Sequence, residues 1–426
     1  MSSSATVPRK FQAPLIGCHE CGLLQQLPVL ADGSRAICGR CGTTLRRRRV
    51  DSIARTIHLN VAALVLFAIA NAFPFLIFAF EGREQVSLLI SGVLRLWEDG
   101  MPELALVVLA ATILFPLTKM LASLYALAPL YLRFRLPGAV RAFRLVDALR
   151  EWSMLDVLLL GVIVSYVKLA DLAQLQLGIG VVAFVAAMIL EVAADATLDR
   201  HEVWQHFGRQ ATAASLAASA GDTLVACHAC DQVVPVAAGH HRHAALCPRC
   251  GAALHRRKPD SVTRTWALLI AAVCLFVPAN LLPVMTIISF GQGEPSTIMG
   301  GVILLVEYHI YPVAAVVFVA SILVPVLKLI GLVFMLVSVQ CRSHWRPVDR
   351  TRLFRIIELV GRWSMVDVFV VALLVALVSL GSLATIVPGL GMSAFAGTVI
   401  LTMLASASFD PRLIWDVFAD DTDARV

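Results

Sequence analysis

The residues best placed to do chemistry are eight cysteines. Cys18 and Cys21 form one Cys-x-x-Cys pair, Cys38 and Cys41 a second, with sixteen residues between the pairs. Cys227, Cys230, Cys247 and Cys250 repeat the pattern at a constant offset of 209 positions (18 to 227, 41 to 250). Two such pairs in a short segment supply four thiolates, enough to close a tetrahedron around one ion. Gly22, Gly42 and Gly251 follow the second cysteine of three pairs, where a tight knuckle calls for a positive φ. The expected cofactors are two zinc ions, one per four-cysteine cluster, in closed structural sites. Iron held by the same thiolates, as a redox centre, is the alternative. His19 and His228 adjoin ligands but are surplus to a full set of four. The run His240-His241-Arg242-His243 reads as exposed loop, with an additional metal site as its alternative. Cys274 and Cys341 fall outside the pattern and read as ordinary packing residues.

Ionisable residues inside apolar stretches form the second group, because charge at membrane depth is costly and marks function. Lys119 and Lys328 occupy matching places in the two halves, as do Asp156 and Asp367. The expectation is two structural ion pairs, Lys119–Asp156 and Lys328–Asp367, holding helices together. Lys168 and Asp171 lie three residues apart and so share a helix face, but their counterparts are Ser379 and Ser382. Glu191 likewise corresponds to Thr402. A charged half matched to a hydroxylated half points to a task that one half performs. These six residues are the candidate polar network for proton coupling.

Long apolar segments must position these groups. The chain has 426 residues, of which 59% are hydrophobic and 15% charged, and its mean hydropathy is +0.81. Several apolar runs approach the ~20 residues that cross a bilayer as a helix. Spans are expected at about 57–80, 101–132, 154–175 and 179–196, and again at about 266–290, 310–339, 366–386 and 391–408. The fold expected is an all-α polytopic membrane protein. It has eight transmembrane helices in two parallel four-helix repeats, each preceded by a small β-rich zinc ribbon. The expected divisions are a loose N-terminus (1–14), ribbon 1 (15–45), repeat 1 (46–199), a linker (200–222), ribbon 2 (223–254), repeat 2 (255–418) and a tail (419–426). Asp51-Ser52 matches Asp260-Ser261, Asn71 and Pro74 match Asn280 and Pro283, and Pro116 matches Pro325. Four spans per unit is an even number, which gives both repeats the same orientation.

The net charge of +6 sits beside the apolar runs, at Arg46-Arg47-Arg48-Arg49 and in the Arg-rich segments 133–151 and 342–362. Topology explains that placement, and no nucleic-acid partner is expected. The positive-inside rule assigns both termini and both ribbons to the cytoplasm, whose reducing conditions suit unpaired cysteines. Neither a nucleophile elbow, nor GxxxxGK[ST], nor HExxH is present, so an enzyme is not expected.

The tandem cysteine clusters, Asn71-Ala72-Phe73-Pro74 and the twice-written Trp-Ser-Met-x-Asp-Val motif (Trp152 to Val157, Trp363 to Val368) carry a resemblance. Over about residues 15–418 the chain resembles the paraquat-inducible protein A family, including its LetA-like lipid-transport branch. The resemblance implies a multi-pass protein of the bacterial inner membrane. It would work with a periplasmic oligomer of MCE-domain subunits that forms a hydrophobic tunnel, and the cargo would be phospholipid. The second half, with its uncharged Ser379, Ser382 and Thr402, is expected to line the lipid cavity. A membrane redox protein with four-cysteine iron centres, or a scaffold or sensor whose ribbons bind a cytoplasmic partner, are the alternatives.

Overall fold

The structure, a computed structural model, describes residues 15–80, 83–134, 136–170, 174–208, 223–236, 245–289, 292–309, 311–361, 365–377 and 384–423. The two halves run through the same elements. Ribbon 1 is two hairpins, β1–β2 (Leu15–Gly17, Leu24–Gln26) and β3–β4 (Arg35–Ile37, Thr44–Arg47). Repeat 1 follows as α1 (Ser52–Ala72), β5 (Leu76–Phe80), β6 (Arg83–Ser87), α2 (Ser91–Glu98) and α3 (Pro102–Leu132). It closes with α4 (Ala139–Leu149), α5 (Leu155–Ala170), β7 (Gln174–Leu177), α6 (Ile179–Thr197) and α7 (Arg200–Phe207).

Ribbon 2 carries β8 (Thr223–Ala226) and β9 (Val233–Val236). Repeat 2 is α8 (Ser261–Leu281), β10 (Met285–Ser289), β11 (Gln292–Ser296), α9 (Ile298–Glu307) and α10 (Ala314–Gln340). Then come α11 (Pro347–Gly361), α12 (Val366–Leu377), β12 (Ala384–Pro388), α13 (Leu390–Ser408) and α14 (Leu413–Asp423). Each helix of repeat 1 therefore has its counterpart seven helices later.

Among the described residues six helices are long and apolar enough to cross a membrane, three per repeat. The first is 21 residues long, about 31 Å at 1.5 Å per residue. It separates the ribbon end of the molecule from a sheet end. There the strand orders are β6-β5-β7 and β11-β10-β12, all antiparallel. The expected first spans, 57–80 and 266–290, are thus divided. The helices stop at Ala72 and Leu281, and strands follow. Pro74 and Pro283 lack the N–H that would continue the helix. Their freed carbonyls accept from Gly180 N (2.9 Å) and Gly391 N (3.1 Å). A Cβ at Gly178 would lie 2.1 Å from the Pro74 oxygen, and one at Gly389 2.2 Å from the Pro283 oxygen. Only glycine lets these backbones meet.

The second spans contain a π turn, Ala110–Leu114 and Val319–Leu323, just before Pro116 and Pro325. A π turn is a recognised way for a helix to absorb an irregular residue. The third spans depart furthest from expectation. Instead of 154–175 and 366–386, they are 16- and 12-residue helices that give way to strands β7 and β12. They pack on each other across the repeats, with Gly161 bringing α5 close to Phe369 and Val370 of α12. Val366 and every residue from Val368 to Val375 are buried, so α12 is apolar on all faces because protein surrounds it. Apolar composition alone does not separate that state from a lipid-facing span. The expected linker begins as helix α7 and the expected tail is largely helix α14. Cys274 and Cys341, expected as packing residues, are exposed.

One serine closes the ribbon end of each repeat. Asp199 N–H donates to Ser52 Oγ (2.6 Å), and Asp410 N–H donates to Ser261 Oγ (2.9 Å). The start of each first helix is so fastened to the end of its fourth, which explains why Asp-Ser is written twice.

Candidate metal centres and a charged cavity

Each cysteine cluster is held by two knuckles. In every knuckle the N–H four residues after the first cysteine returns to that cysteine's carbonyl, as in Gly22 N to Cys18 O (2.9 Å) and Asp231 N to Cys227 O (3.0 Å). The donor residues Gly22, Gly42, Asp231 and Gly251 all have positive φ. Aspartate tolerates that region better than most side chains, so the fourth knuckle forms without glycine.

All eight thiols are buried, at 1–4% exposure. Sulfur pairs lie at 3.5 Å (Cys18–Cys41, Cys21–Cys38, Cys227–Cys250) and 3.6 Å (Cys230–Cys247). A tetrahedral ion with bonds of ~2.3 Å spaces its sulfurs roughly 3.8 Å apart. Within each cluster the four sulfurs lie within 4.8 Å of one another. The donor set fits one tetrahedral thiolate-bound ion per ribbon, with no place for a fifth ligand.

The ribbons are crossed. Ribbon 1 packs on repeat 2, its cysteines sharing one apolar cluster with Leu332, Phe354, Phe409 and Trp415. Ribbon 2 packs on repeat 1, against Ala126, Leu127, Phe143 and Trp204. Equivalent arginines make equivalent contacts. Arg144 on α4 donates to Cys250 O (3.3 Å), and Arg355 on α11 donates to Cys41 O (3.4 Å). Arg355 also grips buried Glu20 through Nε (2.7 Å to each carboxylate oxygen), and Glu20 accepts from Thr43 Oγ1 (2.6 Å). Arg40 lies over the Trp415 ring at 4.4 Å. The ribbons also touch each other through the bridge between Ile16 and Gln232. A Cβ at Gly17 would lie 2.5 Å from Ala226 Cβ. The Arg-rich segments were expected only as topology anchors; two of their arginines are ribbon clamps. The matched positions of Arg144 and Arg355 were the available signal.

Beside ribbon 2 lies His201, 8% exposed, with no partner for Nε2 among the described residues. Burial, with Arg46 next, pulls its imidazole down to about 4. Arg249 pushes in the same direction, and Asp199 opposes them. Sequence reading did not single it out.

The predicted ion pairs resolve differently. Lys119 Nζ donates to Glu191 (3.0 Å) and to Asp195 (2.7 Å), not to Asp156. Glu191 and Asp195 are four apart on α6 and share the face that meets α3. Asp156 is exposed in the first turn of α5, where the helix N-terminus favours a carboxylate without a cation. Glu191 also accepts from Ser153 Oγ (3.0 Å), and Arg150 Nε lies 3.7 Å from Asp195. A cavity of about 290 Å³ opens here, lined by these groups, Asp156, Met188 and Val192. Glu191 therefore belongs to the Lys119 cluster.

In repeat 2 the positions that match Glu191 and Asp195 carry hydroxyls, Thr402 and Ser406. Lys328 is 4% exposed and has no ion pair among the described residues. Its Nζ stands 2.4 Å from where a Cβ on Gly361 would be. Thr402 donates to Val399 O (2.8 Å) and Ser406 to Met403 O (2.9 Å), each within its own helix. Asp171, Ser379 and Ser382 lie outside the described residues, as does the run 240–243. For Lys168 and Asp367 only the helical backbone is described, so the Lys328–Asp367 pair is not among the described contacts.

Comparison with known proteins places this arrangement. The chain is 35% identical over 407 residues, 94% of its own length and 95% of the relative's, to the intermembrane transport protein PqiA of Escherichia coli (strain K12). It is 32% identical over 400 residues (94% and 90%) to the lipophilic envelope-spanning tunnel protein A of the same strain. To a probable intermembrane transport protein of Haemophilus influenzae it is 29% identical over 408 residues (95% and 96%). No solved structure gives a significant match. The family model for paraquat-inducible protein A matches residues 53–208 and 262–419, one match on each repeat, and the chain belongs to that family.

Proposed function

We propose that this protein is an inner-membrane subunit of a phospholipid transport system, passing lipid between the membrane and an envelope-spanning tunnel built by a periplasmic MCE-domain oligomer. The observation that carries the reading is end-to-end similarity to proteins named for intermembrane transport and for a lipophilic tunnel. Six membrane-length helices agree with it. The arginine-rich loops support a cytoplasmic ribbon end, with both ribbons and both termini on that side and the two sheets turned to the partner. Relatives named as transport proteins support a non-enzymatic role.

Zinc at each four-cysteine cluster would fold its ribbon and, through the crossed contacts, tie each ribbon to the opposite repeat. When bound the ion supplies structure rather than reactivity, since its four positions are filled. We assign the coupling to the proton gradient to Lys168 and Asp171, whose counterparts in the second repeat are Ser379 and Ser382. The second repeat, with a helix that ends just after Asn280 and a π turn before Pro325, is where a lipid leaves the bilayer. Envelope complementation and lipid transfer by Lys168→Ala and Asp171→Ala test the coupling. Loss of both activities is expected, and wild-type behaviour of both variants would remove the pair from the mechanism.

A further inference from the structure

We propose that the charged cavity of repeat 1 is a binding site for a zwitterionic phosphoethanolamine headgroup, taken from a lipid of the bilayer. The proposal rests on the lipid-transport reading and names a ligand class for a site that reading does not use. The cavity lies toward the ribbon end, between α3, the start of α5 and α6. Its ionisable groups are Lys119 and Arg150 against Asp156, Glu191 and Asp195. Lys119 is already satisfied by Glu191 and Asp195. Two charges then remain for a ligand. Arg150 is 49% exposed, and its only ion-pair contact among the described residues is Asp195 at 3.7 Å. Asp156 is exposed, lines the cavity and has no ion pair among the described residues. One available cation and one available carboxylate, facing one space, match a ligand that carries one phosphate and one ammonium.

The wall selects among such ligands. Leu155, Met188 and Val192 line one side, and Val192 is 57% exposed on the outer face of α6. Acyl chains can lie along that face while the headgroup enters the cavity. A volume of about 290 Å³ sits at the lower end of the ~300–1,000 Å³ usual for small-molecule sites. A bare metal ion fits poorly, because the Lys119 ammonium already occupies the space between the two inner carboxylates. A phosphatidylglycerol headgroup would suit Arg150 and leave Asp156 facing an anion. A choline headgroup has no N–H to donate to Asp156.

The duplicated half shows what the site becomes without such a task. Arg150 corresponds to Gly361, Glu191 to Thr402 and Asp195 to Ser406. The Lys328 amine fills the place that a side chain at 361 would take. A purely structural lysine–carboxylate staple would serve both repeats equally. Only the first keeps the carboxylates on its fourth span, and it keeps a cavity beside them.

The test uses the purified full-length protein, freed of lipid and offered phosphatidylethanolamine, phosphatidylglycerol or phosphatidylcholine in nanodiscs, with retained lipid read by native mass spectrometry. Preference for phosphatidylethanolamine is expected. Asp156→Asn should reduce that preference about tenfold, the effect of one charge-assisted hydrogen bond, and Arg150→Gln should weaken retention of phosphatidylethanolamine and phosphatidylglycerol alike. A photoreactive side chain at position 192 should crosslink to lipid in the otherwise unchanged protein and not when Asp156→Asn and Arg150→Gln are combined. Equal retention of the three lipids, or a preference unchanged by Asp156→Asn, overturns the proposal. Free phosphoethanolamine that binds while Val192 captures no lipid overturns the bilayer as its source. Asp156 and Arg150 are exposed, and metal content and monodispersity confirm folding of the variants. A protein that transfers lipid without this preference loses the present inference alone; one that shows the preference but transfers nothing loses the transport reading alone.

Discussion

Lys119 and Lys328 occupy the same place in two copies of one design, each just beyond the proline that follows a π turn, yet their surroundings differ in kind. Lys119 meets two carboxylates, one of them the serine-held Glu191. Lys328 meets the bare backbone of Gly361, and the hydroxyls that replace the acids are bonded to their own helix. The comparison separates what duplication preserves from what it releases. Backbone devices stay alike: Asn71 and Asn280 each donate to the carbonyl four residues back at 2.8 Å, and the glycine contacts on Pro74 and Pro283 repeat. Charge does not stay alike. A site whose charges diverge while its scaffold holds is one whose chemistry answers to something beyond folding.

The largest effect should come from the metal. Cys18→Ser with Cys21→Ser removes two of the four ligands of ribbon 1 and leaves ribbon 2 intact, and a structural zinc ion there would supply on the order of 10 kcal/mol. Because the ribbons are crossed, hydrogen exchange should rise in α11 and α14 of repeat 2, around Arg355 and Trp415, and not in α4 of repeat 1. Protection lost from α4 instead would mean that each ribbon sits on its own repeat. Metal analysis of the intact protein should find two zinc ions per chain, and iron in their place would move the reading to a redox protein.

Next in size is the contrast between the two lysines. Lys119→Ala leaves Glu191 and Asp195 with an uncompensated buried charge, a loss of about 3–5 kcal/mol. Lys328→Met removes an ammonium that has no ion pair among the described residues and should be neutral or stabilising. Thermal unfolding in detergent reads both. Equal losses would show that Lys328 has an acidic partner and that the two sites are alike.

Acid should then loosen one junction before the other. His201 is held neutral by burial, its imidazole pulled down to about 4. The fold prefers the uncharged ring, so this contribution is complete above the ordinary value near 6.5 and is lost as pH falls from about 6.5 toward 4. The loss amounts to at most about 3 kcal/mol. Limited proteolysis near α7 should increase over that window, and His201→Gln should flatten the dependence. The matching position in repeat 2 is Arg412, so no imidazole stands at that junction. The smallest effect is Arg40→Ala, which gives up the stacking on Trp415 at a cost of about 0.5–1 kcal/mol. A thermal midpoint unchanged by that substitution would show the contact to be solvent-screened.

Much of the fold was legible because its signals are local. Cys-x-x-Cys at a fixed offset announces a knuckle whose hydrogen bonds span four residues. The lack of an N–H on Pro74 and Pro283 announces a helix end, though not that strands follow. Site residues were legible as types rather than as pairs. Lys119 stood out at membrane depth, but Asp156 is nearer to it in sequence than its actual partners, 72 and 76 positions away on α6, and only helix packing chooses between them.

The sequence by itself determined two tandem modules, two four-thiolate clusters and a membrane-length apolar frame, since repetition, ligand spacing and hydropathy act through neighbours along the chain. The tertiary structure decided the crossing of the ribbons, the burial of the third helices between the repeats and the acids that Lys119 meets. Glu20 and Arg355, for example, are separated by 335 positions. No local preference encodes such a contact, because it arises only when apolar faces and charges from distant segments find their lowest common free energy in three dimensions.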